Sequence, residues 1–231
     1  ERDGEATWLG RAPRGVPTGG RAVDALRDTV ELLRTEPLPG LPSLTGGLVG
    51  YLTYDTVRSW EKVPDENPDP LGLPQLGLLL ATDLAVLDHT DGSVLLVANA
   101  INFDATDDNV DLAWHDAVAR LDAMQAQLAT PRPPAVSTYD AGVTPDVTAW
   151  TSPEDYMALV ESAKEYIRAG DAFQIVGSQR FSTPCPAPAL DVYRVLRTIN
   201  PSPYMYLIRV PVDDGSAPDD RTGSLSETAA F

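Results

Sequence analysis

The chain has 231 residues, 43% of them apolar, with four Trp and eight Tyr; that is enough to bury a core in one large domain or two small ones, and it is not the composition of a disordered chain. Seventeen Lys and Arg against 34 Asp and Glu give a net charge of −17, which argues against a nucleic-acid partner, because such a groove needs clustered cations. No apolar run approaches the roughly 20 residues that span a bilayer, residues 1–20 hold no secretory leader, and the single cysteine, Cys185, excludes an internal disulfide; no membrane partner and a reducing cytoplasm are expected.

The chain opens on ERDGEATWLG, without an initiator Met, and closes on SETAAF, so a piece of a longer protein is expected. Residues 4–9 read as a short strand. TGGRAVDALRDTVELLRTEP, residues 18–37, reads as a helix, with Val23, Leu26, Val30 and Leu33 on one stripe of a 3.6-residue period. Pro37 and Pro39 end it. LTGGLVGYLTYD, residues 44–55, is apolar and punctuated by glycine, which predicts a strand close to another backbone. Residues 76–100 predict a hairpin, two apolar runs flanking Thr90-Asp91-Gly92-Ser93. Residues 107–128 form a second amphipathic helix through Val110, Trp114, Val118, Leu121 and Met124.

Residues 129–150 are rich in Pro, Thr and Ala and carry no period, so they read as a linker between residues 1–128 and residues 151–231. The second region then begins helix, strand, helix, strand. The first helix, residues 151–170, has Ser152 as N-cap, Pro153 at the first helical position, acid in its first turn and Gly170 at its C-terminal cap. Its buried stripe is Tyr156, Val160, Ala163 and Ile167. AFQIVGSQRF, residues 172–181, follows as a strand with Phe173, Ile175, Gln179 and Phe181 on one face. The next helix, residues 188–200, packs through Leu190, Tyr193, Leu196 and Ile199. NPSPYMYLIRV, residues 200–210, closes the series as a strand introduced by two prolines, a place that suits a pocket wall and also an ordinary strand start.

Few constellations carry chemistry. His89 and His115 lie on different elements, and with one cysteine they make no zinc cluster. No G-x-S-x-G elbow, P-loop or G-x-G-x-x-G is present. DATDDN, residues 104–109, lacks the glycine at position 6 and the glutamate at position 12 of a calcium loop, and reads as a helix start near Thr106. Gln174, Ser178, Gln179 and Arg180 are the polar residues of one strand, either its solvent side or part of a site. Gly177 beside them suggests a bulge or a close approach.

GDAFQIV, SQRF, ALDVYRVLRTINPSPYMYLI and, further upstream, GGLVGYLTYD together resemble the anthranilate synthase component I family in its actinobacterial form, over nearly the whole chain. The resemblance implies an α/β fold, a mixed and largely antiparallel β-sandwich with outer helices, incomplete here. It implies an enzyme that converts chorismate and ammonia to anthranilate and pyruvate, with Mg2+ as cofactor and a glutamine amidotransferase subunit as partner. It also implies that Pro203, Tyr204 and Met205 line a site for tryptophan as feedback inhibitor. An acceptor carbonyl, an aromatic face and a polarizable thioether suit an indole amino acid. Gly177 departs from the bulkier residue usual in the family. By the same resemblance the catalytic residues and magnesium-binding glutamates lie beyond this chain, as does a Leu-Leu-Glu-Ser segment, so no catalytic or metal residue is expected within it and the chain alone is expected to be inactive. Two rivals remain, aminodeoxychorismate synthase component I, which tends to differ at Ser202 or at Tyr204 and Met205, and a non-catalytic tryptophan-binding module.

Overall fold

The computed structural model describes residues 4–69, 72–131 and 136–209. Two compact units divide the chain, residues 1–133 and 134–231. In the first unit the chain reaches helix α1, Ala22–Leu33, through a single antiparallel bridge between Glu5 and Arg21. This bridge stands where a strand over residues 4–9 was expected. A strand persists only as far as its ladder, and here one residue pair closes. The buried row of α1 is Ala22, Ala25 and Thr29, one step away from the apolar stripe, and Val30 is exposed. Small side chains allow close approach on this face. Thr29 is accommodated because its hydroxyl donates to Ala25 O at 2.7 Å.

Strand β1, Gly47–Leu52, pairs antiparallel with β2, Leu76–Ala81. The expected backbone approach occurs at Gly50. A Cβ there would fall on the Gly77 carbonyl, with Gly77 C and Leu78 Cα each 2.9 Å away. A Cβ at Gly77 would in turn meet the Tyr51 ring at 2.9 Å. Two glycines, one on each strand, therefore leave room for the partner backbone and for the tyrosine.

The hairpin is realised over its second part. Strands β3, Asp83–Leu87, and β4, Val94–Ala98, pair antiparallel. In the turn, Asp88 and Asp91 accept the Thr90 and Ser93 N–H groups, each at 2.8 Å. The first apolar run, however, breaks at Thr82, so that β2 serves β1 and only β3 serves β4. Thr82 O accepts the Asn99 backbone N–H at 2.8 Å and Asn99 Nδ2 at 3.0 Å. Asn99 Nδ2 also donates to Thr45 O at 2.7 Å. A Cβ at the neighbouring Gly46 would lie 2.6 Å from that same Nδ2 and 3.3 Å from Ala81 O.

Helix α2, Val110–Ala129, follows a short 3-10 turn at Asp107–Asn109 that starts from Thr106. It buries Ala113 and Ala117, while Val110 and Trp114 of the expected stripe are exposed and Leu121 and Met124 are half-buried. Arg120 sets this rotation. Its guanidinium donates to Asn99 O at 2.8 Å and pairs with Asp83 of β3 and with Asp116 one turn back.

In the second unit, helix α3, Pro153–Ala169, has the caps read from the sequence. Ser152 Oγ accepts the Asp155 N–H at 3.0 Å and Gly170 sits at φ 87°. Tyr156, Val160 and Ala163 are half-buried, and Ile167 near the helix end is exposed. In helix α4, Ala189–Ile199, Tyr193 and Leu196 are half-buried, whereas Leu190 and Ile199 are exposed. Strand β5, Thr148–Ala149, pairs antiparallel with β6, Phe181–Ser182. The strand expected over residues 172–181 is reduced to its last residue, which begins β6, and Phe173 is fully exposed. The alternating pattern is present, but the ladder extends only as far as the two residues of β5. Among the described residues the sheets are three antiparallel pairs, and the architecture is mixed α/β.

Two substitutions test these local devices. Gly50→Ala drives a methyl group against backbone and should cost roughly 1–3 kcal/mol, as other overpacked sites do. Ser152→Ala should cost roughly 0.5–2 kcal/mol. Denaturant unfolding measures both, and an unchanged midpoint in either variant would refute the corresponding device.

Candidate functional site

The polar strand residues separate once folded. Gln174 and Ser178 are exposed. Gln179 is bound into the backbone: its Oε1 accepts the Thr151 N–H at 3.2 Å and the Arg180 N–H at 2.8 Å, and its Nε2 donates to Thr151 O at 2.7 Å. The side chain thus adds a rung to the β5–β6 pair and secures the residue before the Ser152 cap. Arg180 lies over the Trp150 ring, 3.8 Å from its centre. Trp150 went unnoticed in the sequence, where it is one aromatic at the end of a linker. Gly177 is a close approach, as its position suggested: a Cβ there would come within 2.8 Å of Leu159 Cδ2 on α3.

Pro203, Tyr204 and Met205 follow α4. Asn200 N–H closes the helix on Leu196 O at 2.9 Å. Pro201, Ser202 and Pro203 are exposed, and Tyr204 is 90% exposed. Tyr204 N–H donates to Ser202 Oγ at 3.4 Å, which closes a turn around Pro203. Met205 is half-buried. The strand expected over residues 200–210 is not formed in its described part, up to residue 209. There a single bridge residue, Ile208, is the only ladder contact. Two prolines withdraw two donors from the segment, and no described strand runs beside it; residue 210 lies outside the described residues.

At the other end of α4, Asp191 accepts the Ser137 hydroxyl at 2.7 Å and Arg194 Nη1 at 3.0 Å. The Ser137 bond first, and then Arg194, hold its carboxyl below the ordinary value of 3.8.

His89 is exposed in the β3–β4 turn, and His115 Nδ1 sits 2.7 Å from Asp111 O on α2. Among the described residues, no group of three or more His, Cys, Asp or Glu is arranged to hold a metal ion. These residues therefore do not fit a magnesium site, and no chemistry is derived through one. No helix among them is long and apolar enough to cross a membrane.

The family model described as chorismate binding enzyme matches residues 15–218. The chain belongs to the chorismate binding enzyme family. It is 50% identical over 226 residues to anthranilate synthase component 1 of Mycolicibacterium smegmatis, covering 98% of this chain and 43% of that protein. The Mycobacterium tuberculosis protein of the same name is 48% identical over 229 residues, covering 98% of this chain and 44% of its own length. For Arthrobacter globiformis the identity is 51% over 210 residues, covering 89% and 39%. The chain thus spans less than half the length of these relatives. The crystal structure of anthranilate synthase component I from Streptococcus pneumoniae TIGR4 matches with a TM-score of 0.65 over 88% of this chain and 46% of that one, at 23% identity, which shows a common fold.

The Asp191 cluster makes a pH prediction. Its folded pKa is lowered, so the stability it adds is full above the ordinary carboxylate value and is lost as pH falls through the folded one. Asp191→Asn should therefore lower the unfolding midpoint at neutral pH and converge with the wild type as the pH falls well below the ordinary carboxylate value. A difference that does not change with pH would count against the pairing.

Proposed function

We propose that this chain is part of the large subunit of an anthranilate synthase, in which chorismate and ammonia yield anthranilate and pyruvate. The observation that carries this reading is the identity of 48–51%, across 89–98% of the chain, to actinobacterial proteins of that name. Ammonia comes from a glutamine amidotransferase partner subunit. Mg2+ is taken as the cofactor of the whole enzyme, with no group of three or more metal-ligating side chains for it among the described residues of this chain. The three antiparallel pairs and their helices are taken as portions of a β-sandwich with outer helices, in which residues 129–150 join residues 1–128 to residues 151–231. A single exposed cysteine supports a place in the reducing cytoplasm.

Pro203, Tyr204 and Met205 form the wall of a site for tryptophan, which acts as feedback inhibitor. The exposed ring of Tyr204 offers a face for stacking, the half-buried Met205 an adaptable thioether surface, and the Pro203 carbonyl an acceptor for an ammonium group.

Two measurements test the reading in the full-length protein. Chorismate, ammonium and magnesium should yield anthranilate, followed by its fluorescence; a para-aminobenzoate precursor in its place would overturn the assignment. Met205→Thr should raise the tryptophan concentration for half-inhibition about tenfold, equivalent to a lost contact of about 1.4 kcal/mol. The chorismate KM without tryptophan should stay unchanged. A variant that keeps full tryptophan sensitivity removes the inhibitor site from this segment.

A further inference from the structure

Three arginines show how this acidic chain treats a guanidinium withdrawn from water. The side chains of Arg58, Arg120 and Arg194 are 24%, 27% and 37% exposed, and each is paired: Arg58 with Asp55 and Asp65, Arg120 with Asp83 and Asp116, Arg194 with Asp191. Arg180 is half-buried as well. Among the described residues its guanidinium has neither a carboxylate nor a carbonyl partner, in a chain with 34 acidic residues. Even so, it is held in place. Arg180 and Trp150 face each other one step beyond the β5–β6 pair, where Trp150 N–H donates to Arg180 O at 3.0 Å. The indole N–H donates to Ser182 Oγ at 2.6 Å, which fixes the ring. Gln179 ties the backbone on both sides through Thr151 and Arg180. The guanidinium carbon then rests 3.8 Å from the ring centre, at stacking distance.

We infer that Arg180 receives the carboxylate of a small-molecule ligand, on the platform that Trp150 provides. A stacked guanidinium keeps its N–H donors in its own plane, the fork that binds a carboxylate through two parallel hydrogen bonds. A planar carboxylate offers both its oxygens to that fork, and the Trp150 ring beside it favours a ligand with apolar surface over inorganic phosphate. Trp150 is 55% exposed and leaves room for the rest of the ligand beside it. The inference concerns a different set of residues from Pro203–Met205 and stands whether or not the chain acts on chorismate.

Benzoate, an aromatic carboxylate of no particular biology, is the probe, titrated calorimetrically into the full-length protein with inorganic phosphate and benzyl alcohol as controls. Saturable benzoate binding is expected, with phosphate and the alcohol much weaker. Arg180→Gln should weaken it at least tenfold and Trp150→Leu several-fold. Arg180→Lys keeps the charge and loses the fork; it should weaken benzoate about tenfold at an unchanged thermal midpoint. Equal benzoate affinity in wild type and Arg180→Lys overturns the inference, and so does phosphate binding as tight as benzoate. Absence of benzoate binding to the wild type overturns it too; if Arg180→Lys then also lowers the thermal midpoint, the guanidinium serves an ion pair within the protein.

Discussion

The side-chain amide of Asn99 donates to Thr45 O and Thr82 O, and the Asn99 carbonyl receives Arg120. The first unit depends on this junction because its two strand pairs share no ladder. Thr45 O lies just before β1, and Thr82 O lies between β2 and β3, where it also accepts the Asn99 backbone N–H. A carboxamide has two N–H groups and can serve both. Arg120 then extends the junction to α2, bonding the Asn99 carbonyl while it pairs with Asp83. Strand pairs and helix are thus joined by polar contacts at their edges, and the buried side chains that accompany them are small: Val16, Ala22, Ala25, Ala113 and Ala117.

Features written into a few adjacent residues were legible in the sequence. The Ser152 and Gly170 caps, the turn around Gly92, the helix start at Thr106 and the close approach at the β1 glycines each depend on local chemistry that no distant contact reverses. Features decided by a partner were not. Nothing in LGLLLATDLAVL marks Thr82 as the residue where one sheet ends and another begins, because apolar residues continue on both sides. The break follows from Asn99, seventeen residues away. The buried face of α1 was misread for a related reason. The stripe through Val23 and Val30 is the more apolar, yet α1 buries Ala22, Ala25 and Thr29, whose small volume allows close packing.

The candidate sites divide along the same line. Gly177 announced a close approach by lacking a side chain, and Leu159 occupies the space. Gln179 announced nothing, since a glutamine in an alternating strand suits solvent equally well; its role appears only when Thr151 is placed beside it. Arg180 and Trp150 are thirty residues apart in the chain and meet only through β5 and β6. Pro203, Tyr204 and Met205 were singled out by resemblance to a family. Their own chemistry, two prolines and a turn, is equally that of a strand start.

Gly46 and Asn99 constrain one another in space. Any side chain at position 46 occupies the place of the Asn99 amide nitrogen, 2.6 Å from where its Cβ would sit. A change at position 46 alone therefore displaces the amide from Thr45 O and Thr82 O together. A shorter side chain at position 99 vacates that space and removes most of the penalty at position 46, leaving Ala81 O as the nearest obstacle. The two positions are thus coupled in this fold: the carboxamide at position 99 uses the space that the missing side chain at position 46 leaves.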